Sequence, residues 1–426
     1  MRFQICHTSE VDVTGSGPTA SAPSSPGGDP GPRLDPLAPE TFSSGHRHLA
    51  ELRQRCPVAR SDAYGGFWAV LGHPEVVDVL RQPGTFITSV QNVVPKVAFT
   101  GRRPPLHLDP PEHTPYRQVI NRFFTPAKVA AREPAVRARV VELLTPWLEA
   151  GGGDLCSGFT RRLPGYVFAD LFNLTTDQSM AIKATSERYN EALQRGDDGG
   201  VKATSVELYE LARSIIDERR RHPLDPDDDL TSALLAKRHQ GRPLPDELVL
   251  GTIRQMIVVG MIAPSVLIGA MAVHLAGHPG LQHHLRQRRE LVPAAVEEYL
   301  RLLTPYRGFA RTARHRVEIA GHAIEPDEPI ALVYASANRD ERVFPDPDHF
   351  VVLHRPNIDD HLAFGLGPHR CAGEGLARLL LQVTLDELLA RTDAIEPAGP
   401  PVMTRWPEWG TLTADLVARP SAGDRG

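Results

Sequence analysis

Cys371 lies in a glycine-rich segment, HLAFGLGPHRCAG at residues 361–373, which leads directly into an apolar-periodic stretch typical of a helix. The N–H groups of such a loop and the positive end of the following helix favour a thiolate over a thiol. Gly365 and Gly367 allow the backbone to pack tightly against a flat ligand, where a Cβ would collide. A thiolate in this setting is the axial ligand that pushes electron density into a haem iron. The competing interpretation is a buried structural cysteine beside a turn.

The same segment resembles the cysteine loop of the cytochrome P450 family, whose pattern is F-G-x-G-x-H-x-C-x-G. Every fixed position of that pattern is matched, by Phe364, Gly365, Gly367, His369, Cys371 and Gly373. The resemblance implies a cytochrome P450 fold, mainly α with a small β-rich subdomain. It also implies one haem b, with Cys371 as the iron ligand and Phe364, His369 and Gly373 beside the cofactor.

A second motif, LHLDPPEHTPYR at residues 106–117, opens a predicted helix. His113 and Arg117 are four residues apart and therefore share a face. A buried haem propionate needs neutralisation, and arginine forms planar bidentate pairs with carboxylates. The stretch resembles the family motif D-P-P-x-H-x-x-x-R, which implies that both side chains hold a propionate. By the same resemblance Arg311 and His369 contribute further donors, whereas a solvated basic face is the alternative for this helix.

The most apolar segment, residues 245–276, predicts a helix that crosses the core. In the family this helix carries a Gly-x-acid-Thr signature at the oxygen site. Alignment places the glycine at Gly260, the acid at Ile262 and the alcohol at Ala263, so that the acid–alcohol pair is absent. Pro264 and Ser265 follow, and an interior proline removes one backbone hydrogen bond and distorts a helix.

The missing pair leaves the source of protons open, because the family chemistry consumes protons at the oxygen site. A hydroxyl, amine or acid of the substrate is one possible donor. A water molecule bound at the distortion around Pro264, or the hydroxyl of Ser265, is a second. The third explanation is chemistry without conventional oxygen activation, such as peroxide-driven oxidation, oxidative coupling or nitration.

A structural motif lies between these sites. Glu298 and Arg301 are three residues apart on a predicted helix and can therefore pair. In the family this E-x-x-R pair is buried and is joined by an arginine from a later meander, a position matched by Arg355. The order and spacing of these residues relative to the cysteine loop strengthen the resemblance.

Four residues are candidates for the substrate pocket. Val90 and Val94 lie in the irregular segment 86–103, which covers the pocket in the family. Arg307 either faces the pocket and binds an acidic substrate group or forms a salt bridge at the surface. Trp406 lies at a predicted hairpin tip at residues 403–410, where an aromatic face suits an aromatic substrate and core packing is the equal alternative.

Composition limits the class of protein. The chain has 426 residues, a formal net charge of −5 and no basic block, so nothing indicates binding to nucleic acid or to an anionic membrane. The first residues lack a signal-peptide core, and we expect no apolar run long enough to span a bilayer. Four scattered cysteines suit a reducing cytoplasm. By resemblance, we expect a monomer that receives electrons from NAD(P)H through a ferredoxin and its reductase.

Residue patterns also predict the organisation of the chain. Residues 1–41 are expected to form a disordered Gly/Pro/Ser-rich leader, residues 42–418 a single haem-thiolate domain and residues 419–426 a flexible tail. Predicted helices cover 48–55, 74–81, 126–147, 164–171, 177–194, 201–221, 245–276 and 291–303. Strands are expected at 58–60, 67–71 and 329–335, with a hairpin at 317–324. The glycine-rich segment 195–200 predicts the hinge of a mobile lid.

Together these features indicate an oxidative enzyme that tailors a polar or aromatic small molecule, by resemblance in bacterial secondary metabolism. Its proton delivery would be assisted by the substrate or by water. The alternatives are the non-standard haem chemistries named above or a catalytically silent scaffold that binds haem or recruits an enzyme. The absent acid–alcohol pair at Ile262 and Ala263 favours the scaffold, and the intact cysteine loop and propionate motif favour the enzyme.

Overall fold

The structure is a computed structural model that describes residues 34–35, 45–96, 101–353, 355–405 and 408–421. Most of the predicted leader, the expected start of order near Phe42, Trp406 and the last five residues lie outside this range. Leu34, which falls within the predicted leader, is buried, and its N–H donates to the carbonyl of Arg60 over 3.1 Å.

Helices form most of the described chain. In chain order they are α1 (Gly45–Arg55), α2 (His73–Leu80), α3 (Thr114–Asn121), α4 (Pro126–Ala130), α5 (Glu133–Glu149), α6 (Leu163–Phe172), α7 (Thr176–Arg195), α8 (Asp198–Arg221), α9 (Leu230–Ala236), α10 (Asp246–Val259), α11 (Ala263–Ala276), α12 (Pro279–Gln287), α13 (Val292–Leu303), α14 (Tyr334–Ala337) and α15 (Glu374–Arg391). The predicted helix 126–147 is divided into α4 and α5, and the predicted strand 329–335 ends early because α14 begins at Tyr334.

The strands are short and lie at the edges of the helical body. They are β1 (Val58–Ser61), β2 (Phe67–Val70), β3 (Phe86–Ile87), β4 (Gly152–Asp154), β5 (Arg238–His239), β6 (Arg242–Pro243), β7 (Phe309–Ala313), β8 (Val317–Ile319), β9 (His322–Ile324), β10 (Pro329–Leu332), β11 (Thr392–Pro397), β12 (Val402–Met403), β13 (Thr411–Thr413) and β14 (Asp415–Pro420). The largest sheet has the order β1-β2-β10-β7-β3. The predicted hairpin is confirmed as β8 and β9, which turn at Ala320 and Gly321, both with positive φ. The expected mainly α fold with a small β-rich part is confirmed.

Local caps explain why α7 and α8 follow each other so closely. Thr175 and Gln178 form a capping box at the start of α7, and Gly196 ends the helix with a φ of +70°. Asp197 then caps α8, because its side chain accepts a hydrogen bond from the N–H of Gly200. The segment between the helices is therefore shorter than the predicted residues 195–200, since two capping residues alone separate them, and the lid hinge stays a prediction.

The apolar core helix is broken rather than continuous. Helix α10 ends at Val259 and α11 begins at Ala263, with residues 260–262 between them. A Cβ on Gly260 would lie 1.7 Å from the ring of Phe168 in α6, so only glycine allows this close approach. Pro264 lies in the first turn of α11, where proline is tolerated, and not in a helix interior as predicted.

This segment also corrects the expectation about membrane spans. Asp246–Ala276 is long and apolar enough to cross a bilayer, with a mean hydropathy of 2.3 over its most apolar part. However, 67% of that part is buried inside the protein, among the helices of the main core. Its length and composition are those of a core helix in a large helical domain.

Candidate functional site

The loop before α15 carries Cys371. The N–H of Cys371 donates to the carbonyl of Phe364 over 2.9 Å, which closes the loop. Gly365 and Gly367 have φ values of +67° and +73°, and a Cβ on Gly367 would lie 2.8 Å from the carbonyl oxygen of Leu80. Glycine is therefore required at both positions by conformation and at the second also by space. Among the described residues Cys371 is the exposed cysteine, whereas Cys56 and Cys156 are buried.

Two effects act in opposite directions on the thiol of Cys371. Burial raises its pKa, whereas the N–H of Gly373 and the charge of Arg117 lower it, and burial is the larger effect. The loop N–H group therefore favours a thiolate as predicted, but not enough to offset burial. A coordinated metal ion would reverse the balance, because a thiol bound to a metal loses its proton.

Basic side chains from three segments meet at the cysteine loop. His113 and His369 are in edge-to-face contact, with ring centroids 4.7 Å apart. Arg311 in β7 is buried, and its guanidinium donates to the carbonyl of Ala310 over 2.8 Å. Arg117 is close enough to influence both His113 and Cys371. The structure thus brings together the four residues that sequence assigned to the propionates.

Asp109 organises this cluster and was not singled out from the sequence. Its carboxylate accepts hydrogen bonds from the N–H and hydroxyl of Thr88, at 2.9 and 3.1 Å, and lies 3.7 Å from Nε2 of His369. Burial alone would raise the pKa of Asp109, but hydrogen bonds from His369, Ser89 and Thr88 hold it well below the usual range. Asp109 therefore fixes the orientation of the His369 ring. Its place in the D-P-P-x-H motif is the signal that could have revealed it.

The donor set fits a haem. His113 Nε2 is buried without a hydrogen-bond partner among the described residues, and burial lowers the pKa of His113 to about 4, with His369 and Arg117 adding to the effect. A buried polar atom needs a partner, and this one lies in a cluster of cationic donors. A propionate supplies the missing acceptor and the missing negative charge. Cys371, His113, Arg117, Arg311 and His369 are the residues that would hold the cofactor.

Glu298, Arg301 and Arg355 form a fully buried ion cluster. Arg301 donates from Nε and Nη2 to the two oxygens of Glu298, both at 2.8 Å. Arg355 donates from Nε to the same carboxylate at 2.8 and 3.0 Å. Both guanidinium groups also bond backbone carbonyls of residues 345–349, so the cluster ties α13 to the segment that precedes the cysteine loop.

The oxygen-site positions lie at the break between α10 and α11. Ile262 and Ala263 are partly accessible side chains without an ionisable or hydroxyl group. The hydroxyl of Ser265 is buried and donates to the carbonyl of Met261 over 3.0 Å. Ser265 therefore provides a donor for the carbonyl of Met261 within the break. Serine side chains often bond in this way to the carbonyl one turn earlier.

Lys183 in α7 is the residue at this break that sequence reasoning missed. Its ammonium group donates to the carbonyl of Met261 over 2.9 Å, lies 3.4 Å from the hydroxyl of Ser265 and pairs with Glu187 at 3.2 Å. Only 3% of its side chain is exposed, and burial lowers its pKa although Glu187 opposes the shift. A lowered pKa means that this ammonium group gives up its proton more readily than an exposed lysine. Sequence gave no signal, because Lys183 and Met261 are 78 residues apart.

The predicted pocket residues do not form one group. Val90 is exposed, whereas Val94 is buried in a small core cluster with Leu49 and Trp409. Arg307 is buried with its guanidinium carbon 4.1 Å from the ring centroid of Trp409, so the predicted surface salt bridge is wrong. Burial lowers the pKa of Arg307 to about 9, while the nearby Glu408 opposes that shift. Trp406 lies outside the described residues.

Glu408 is a buried carboxyl group next to Arg307. It accepts hydrogen bonds from the amides of Asn190 and Gln194 in α7, at 2.9 and 2.8 Å. Burial raises the pKa of Glu408 to about 7, although both amides, Lys183 and Arg307 favour its ionised form. The group therefore titrates near neutral pH, inside the fold.

Comparison with known proteins gives the family. The Cytochrome P450 family model matches residues 197–404. Nocardicin C N-oxygenase from Nocardia uniformis subsp. tsuyamanensis is 33% identical over 88% of this chain and 94% of its own length. Mycinamicin IV hydroxylase/epoxidase from Micromonospora griseorubida is 33% identical over 73% and 78%. The structure of cytochrome P450 CYP109Q5 from Chondromyces apiculatus superposes with a TM-score of 0.82 at 29% identity, covering 92% of this chain and 99% of that one.

This chain belongs to the cytochrome P450 family. It is a monooxygenase of the bacterial type, with haem iron as its cofactor and with NAD(P)H as the source of electrons through redox partners. The relatives include hydroxylases and oxygenases of bacterial secondary metabolism, which agrees with a tailoring role. The expected fold, cofactor and enzyme class are thereby confirmed.

Proposed function

We propose that the protein oxidises a polar or aromatic small molecule at a haem held by Cys371, with His113, Arg117, Arg311 and His369 on its propionates. The observation that carries this assignment is the meeting of an exposed cysteine with a cationic cluster that contains the unpartnered Nε2 of His113. When bound, the haem supplies activation of dioxygen. Phe364 and Gly373 flank Cys371 in the loop and complete the proposed set.

The proposal includes a source of protons at the helix break. Lys183 and Ser265 both donate hydrogen bonds to the carbonyl of Met261. Met261 directly precedes Ile262 and Ala263, the positions at which the acid and the alcohol are missing. The ammonium of Lys183 is positioned to release a proton toward the break, and the Ser265 hydroxyl would relay it after turning from the carbonyl of Met261. A proton from solvent, reaching the amine past Glu187, whose side chain is 25% exposed, would then restore the ammonium. This favours delivery by the protein and bound water, while a proton-donating group of the substrate remains the other route.

The redox partners proposed are a ferredoxin and its reductase, and the proposed location is the cytoplasm, with the protein as a monomer. Support comes from the family membership and from the burial of the apolar span within the core. The names of the relatives are those of oxygenases, which favours the enzyme over a silent scaffold.

The experiment that tests the haem assignment is the difference spectrum of the reduced protein with carbon monoxide. We expect a strongly red-shifted Soret band from a thiolate ligand, and we expect Cys371→Ser to lose that band. Cys156→Ser is the matched control, because Cys156 is buried elsewhere and should not alter the spectrum. Retention of the band in Cys371→Ser would refute the assignment.

A further inference from the structure

Two arginines are buried side by side where the loop before α3 packs on α10. Arg254 in α10 is 1% exposed and Arg103 in the loop is 8% exposed. The loop reaches α10 because Gly251 has no side chain, since a Cβ there would lie 1.9 Å from the carbonyl oxygen of Arg102. Gly251 and Arg254 are three residues apart and share a face, which places Arg103 beside Arg254.

The groups around this pair are neutral or basic. The guanidinium carbon of Arg254 lies 5.1 Å from the ring centroid of Tyr189 in α7 and 5.8 Å from that of Tyr209 in α8. Arg254 also donates to the hydroxyl of Ser205 over 3.4 Å. Burial and, after it, the charge of Arg103 lower the pKa of Arg254 to about 10, while Tyr189, which also forms a hydrogen bond with Arg254, and Tyr209 oppose that shift.

Partners are missing at several of these atoms. Within the described part of the chain, the Nε atoms of Arg103 and Arg254, the hydroxyl of Tyr209 and Nε2 of His107 are buried and make no hydrogen bond. In the same part of the chain no carboxylate lies within ion-pair distance of either arginine. His107 is neutral at physiological pH, because burial and the charges of Arg103 and Arg254 lower its pKa to about 3.

Several other buried arginines of this protein do pair with a carboxylate. Arg219 pairs with Asp229 at 3.1 Å, Arg301 with Glu298 at 2.8 Å and Arg53 with Glu341 at 2.8 Å. A buried charge without a partner is strongly unfavourable, so proteins keep it where a ligand or metal completes the pair. Arg311 is the parallel case in this fold, because its proposed partner is a carboxylate of the cofactor.

Arg254 lies on the helix that leads to the oxygen-site residues. Arg254 precedes Gly260 by six residues, which at about 1.5 Å per residue is about 9 Å along the helix. The surrounding elements are α7, α8, α10 and the loop before α3, and two of them, α7 and α10, also form the contacts at the break.

We propose that Arg103 and Arg254 form a carboxylate-binding subsite, so that the substrate of this enzyme is a small molecule carrying a carboxylate. Two guanidinium groups offer the planar donor pairs that carboxylates accept, and the tyrosine rings supply apolar surface for the adjoining part of the substrate. This inference rests on the proposed function, since it names the substrate class of the same site.

The test compares carboxylates with uncharged analogues on the haem-loaded protein. Benzoate, phenylacetate and 4-phenylbutyrate are titrated by calorimetry beside their amides, and the Soret spin shift is recorded in parallel. We expect at least one carboxylate to bind tenfold or more tightly than its amide. No preference for any carboxylate over its amide in the wild-type protein would overturn the proposal.

Variants test whether the two arginines cause the preference for carboxylates over amides. We expect Arg254→Met and Arg103→Gln to lower the carboxylate-to-amide ratio at least tenfold, and Arg102→Gln to leave it unchanged, because Arg102 is an exposed neighbour on the same loop. An equal loss in Arg102→Gln would show long-range attraction only and overturn the subsite. Arg254→Met should also raise the melting temperature of the ligand-free protein, because it removes an unpaired buried charge. A lowered melting temperature with an unchanged ratio would assign Arg254 a structural role and overturn the proposal.

The red-shifted Soret band of each preparation distinguishes a failure of the carboxylate subsite from a failure of the haem assignment. A normal band without carboxylate preference refutes the subsite and leaves the haem assignment intact. Carboxylate preference in a protein without the band refutes the haem assignment and supports the subsite, because calorimetry does not depend on the cofactor.

Discussion

Replacing Lys183 with methionine tests whether the helix break is a route for protons. Methionine has the length and flexibility of lysine and suits a helix, so the substitution removes the ammonium group and little of the packing. The variant loses the hydrogen bonds from Nζ to the carbonyl of Met261 and toward the hydroxyl of Ser265, together with the ion pair to Glu187.

The structure predicts a small effect on stability. Hydrogen bonds from a charged group contribute about 1.5–3 kcal/mol each, but removing the lysine also removes the cost of burying its charge. No acceptor is left bare, because Ser265 still donates to Met261 at 3.0 Å and Arg161 still pairs with Glu187 at 3.1 Å. We therefore expect the free energy of unfolding to change by about 1–2 kcal/mol or less.

The effect on turnover should be much larger. A positioned general acid contributes about 100-fold or more to a proton transfer, and water replaces part of that. We expect the fraction of NAD(P)H that yields oxidised substrate to fall about tenfold, with the remaining electrons released as hydrogen peroxide. The solvent isotope effect on product formation should rise, because proton transfer becomes slower than the other steps.

The assay measures product and peroxide per NAD(P)H with a ferredoxin system and the substrate that gives the largest spin shift. Lys202→Met is the matched control, because Lys202 is exposed on α8 and the chemical change is the same. Unaltered coupling in Lys183→Met, together with a loss of stability above about 3 kcal/mol, would refute the proton route and assign Lys183 a structural role.

Three further predictions follow from the geometry. Glu298→Gln should lower the free energy of unfolding by about 3–5 kcal/mol and reduce haem content, because it leaves two buried arginines without a counter-charge. Urea unfolding measures this change. Glu341→Gln is the control, because the carboxylate of Glu341 is partly exposed. Because the pKa of Glu408 is raised from its unfolded value to about 7, its contribution of about 3 kcal/mol is fully present below the unfolded pKa and is lost as pH rises through 7. Urea unfolding between pH 4 and pH 9 should therefore show this dependence, and Glu408→Gln should remove it. Introducing Ile262→Asp with Ala263→Thr should increase oxygen consumption on small surrogate substrates if proton delivery alone limits them, and unchanged consumption would favour substrate-supplied protons.

Contiguous motifs carried most of what could be predicted. The cysteine loop, the segment 106–117 and the E-x-x-R pair each place their residues within a dozen positions, where backbone geometry alone sets the spacing. Apolar periodicity located most helices for the same reason, although it did not show the break at residues 260–262. That break depends on Phe168 of α6, which occupies the space next to Gly260 and is invisible to a local pattern.

Local motifs in the sequence are sufficient to indicate the haem-thiolate class, the residues proposed to hold the cofactor and the missing acid–alcohol pair at Ile262 and Ala263. Which side chains lie near that gap and near Arg254 depends on the tertiary structure. Lys183 reaches the break, and Arg103 meets Arg254, across 78 and 151 positions of chain respectively. Such pairings arise from packing between helices and a loop, because burial, not sequence distance, decides which charges must find partners.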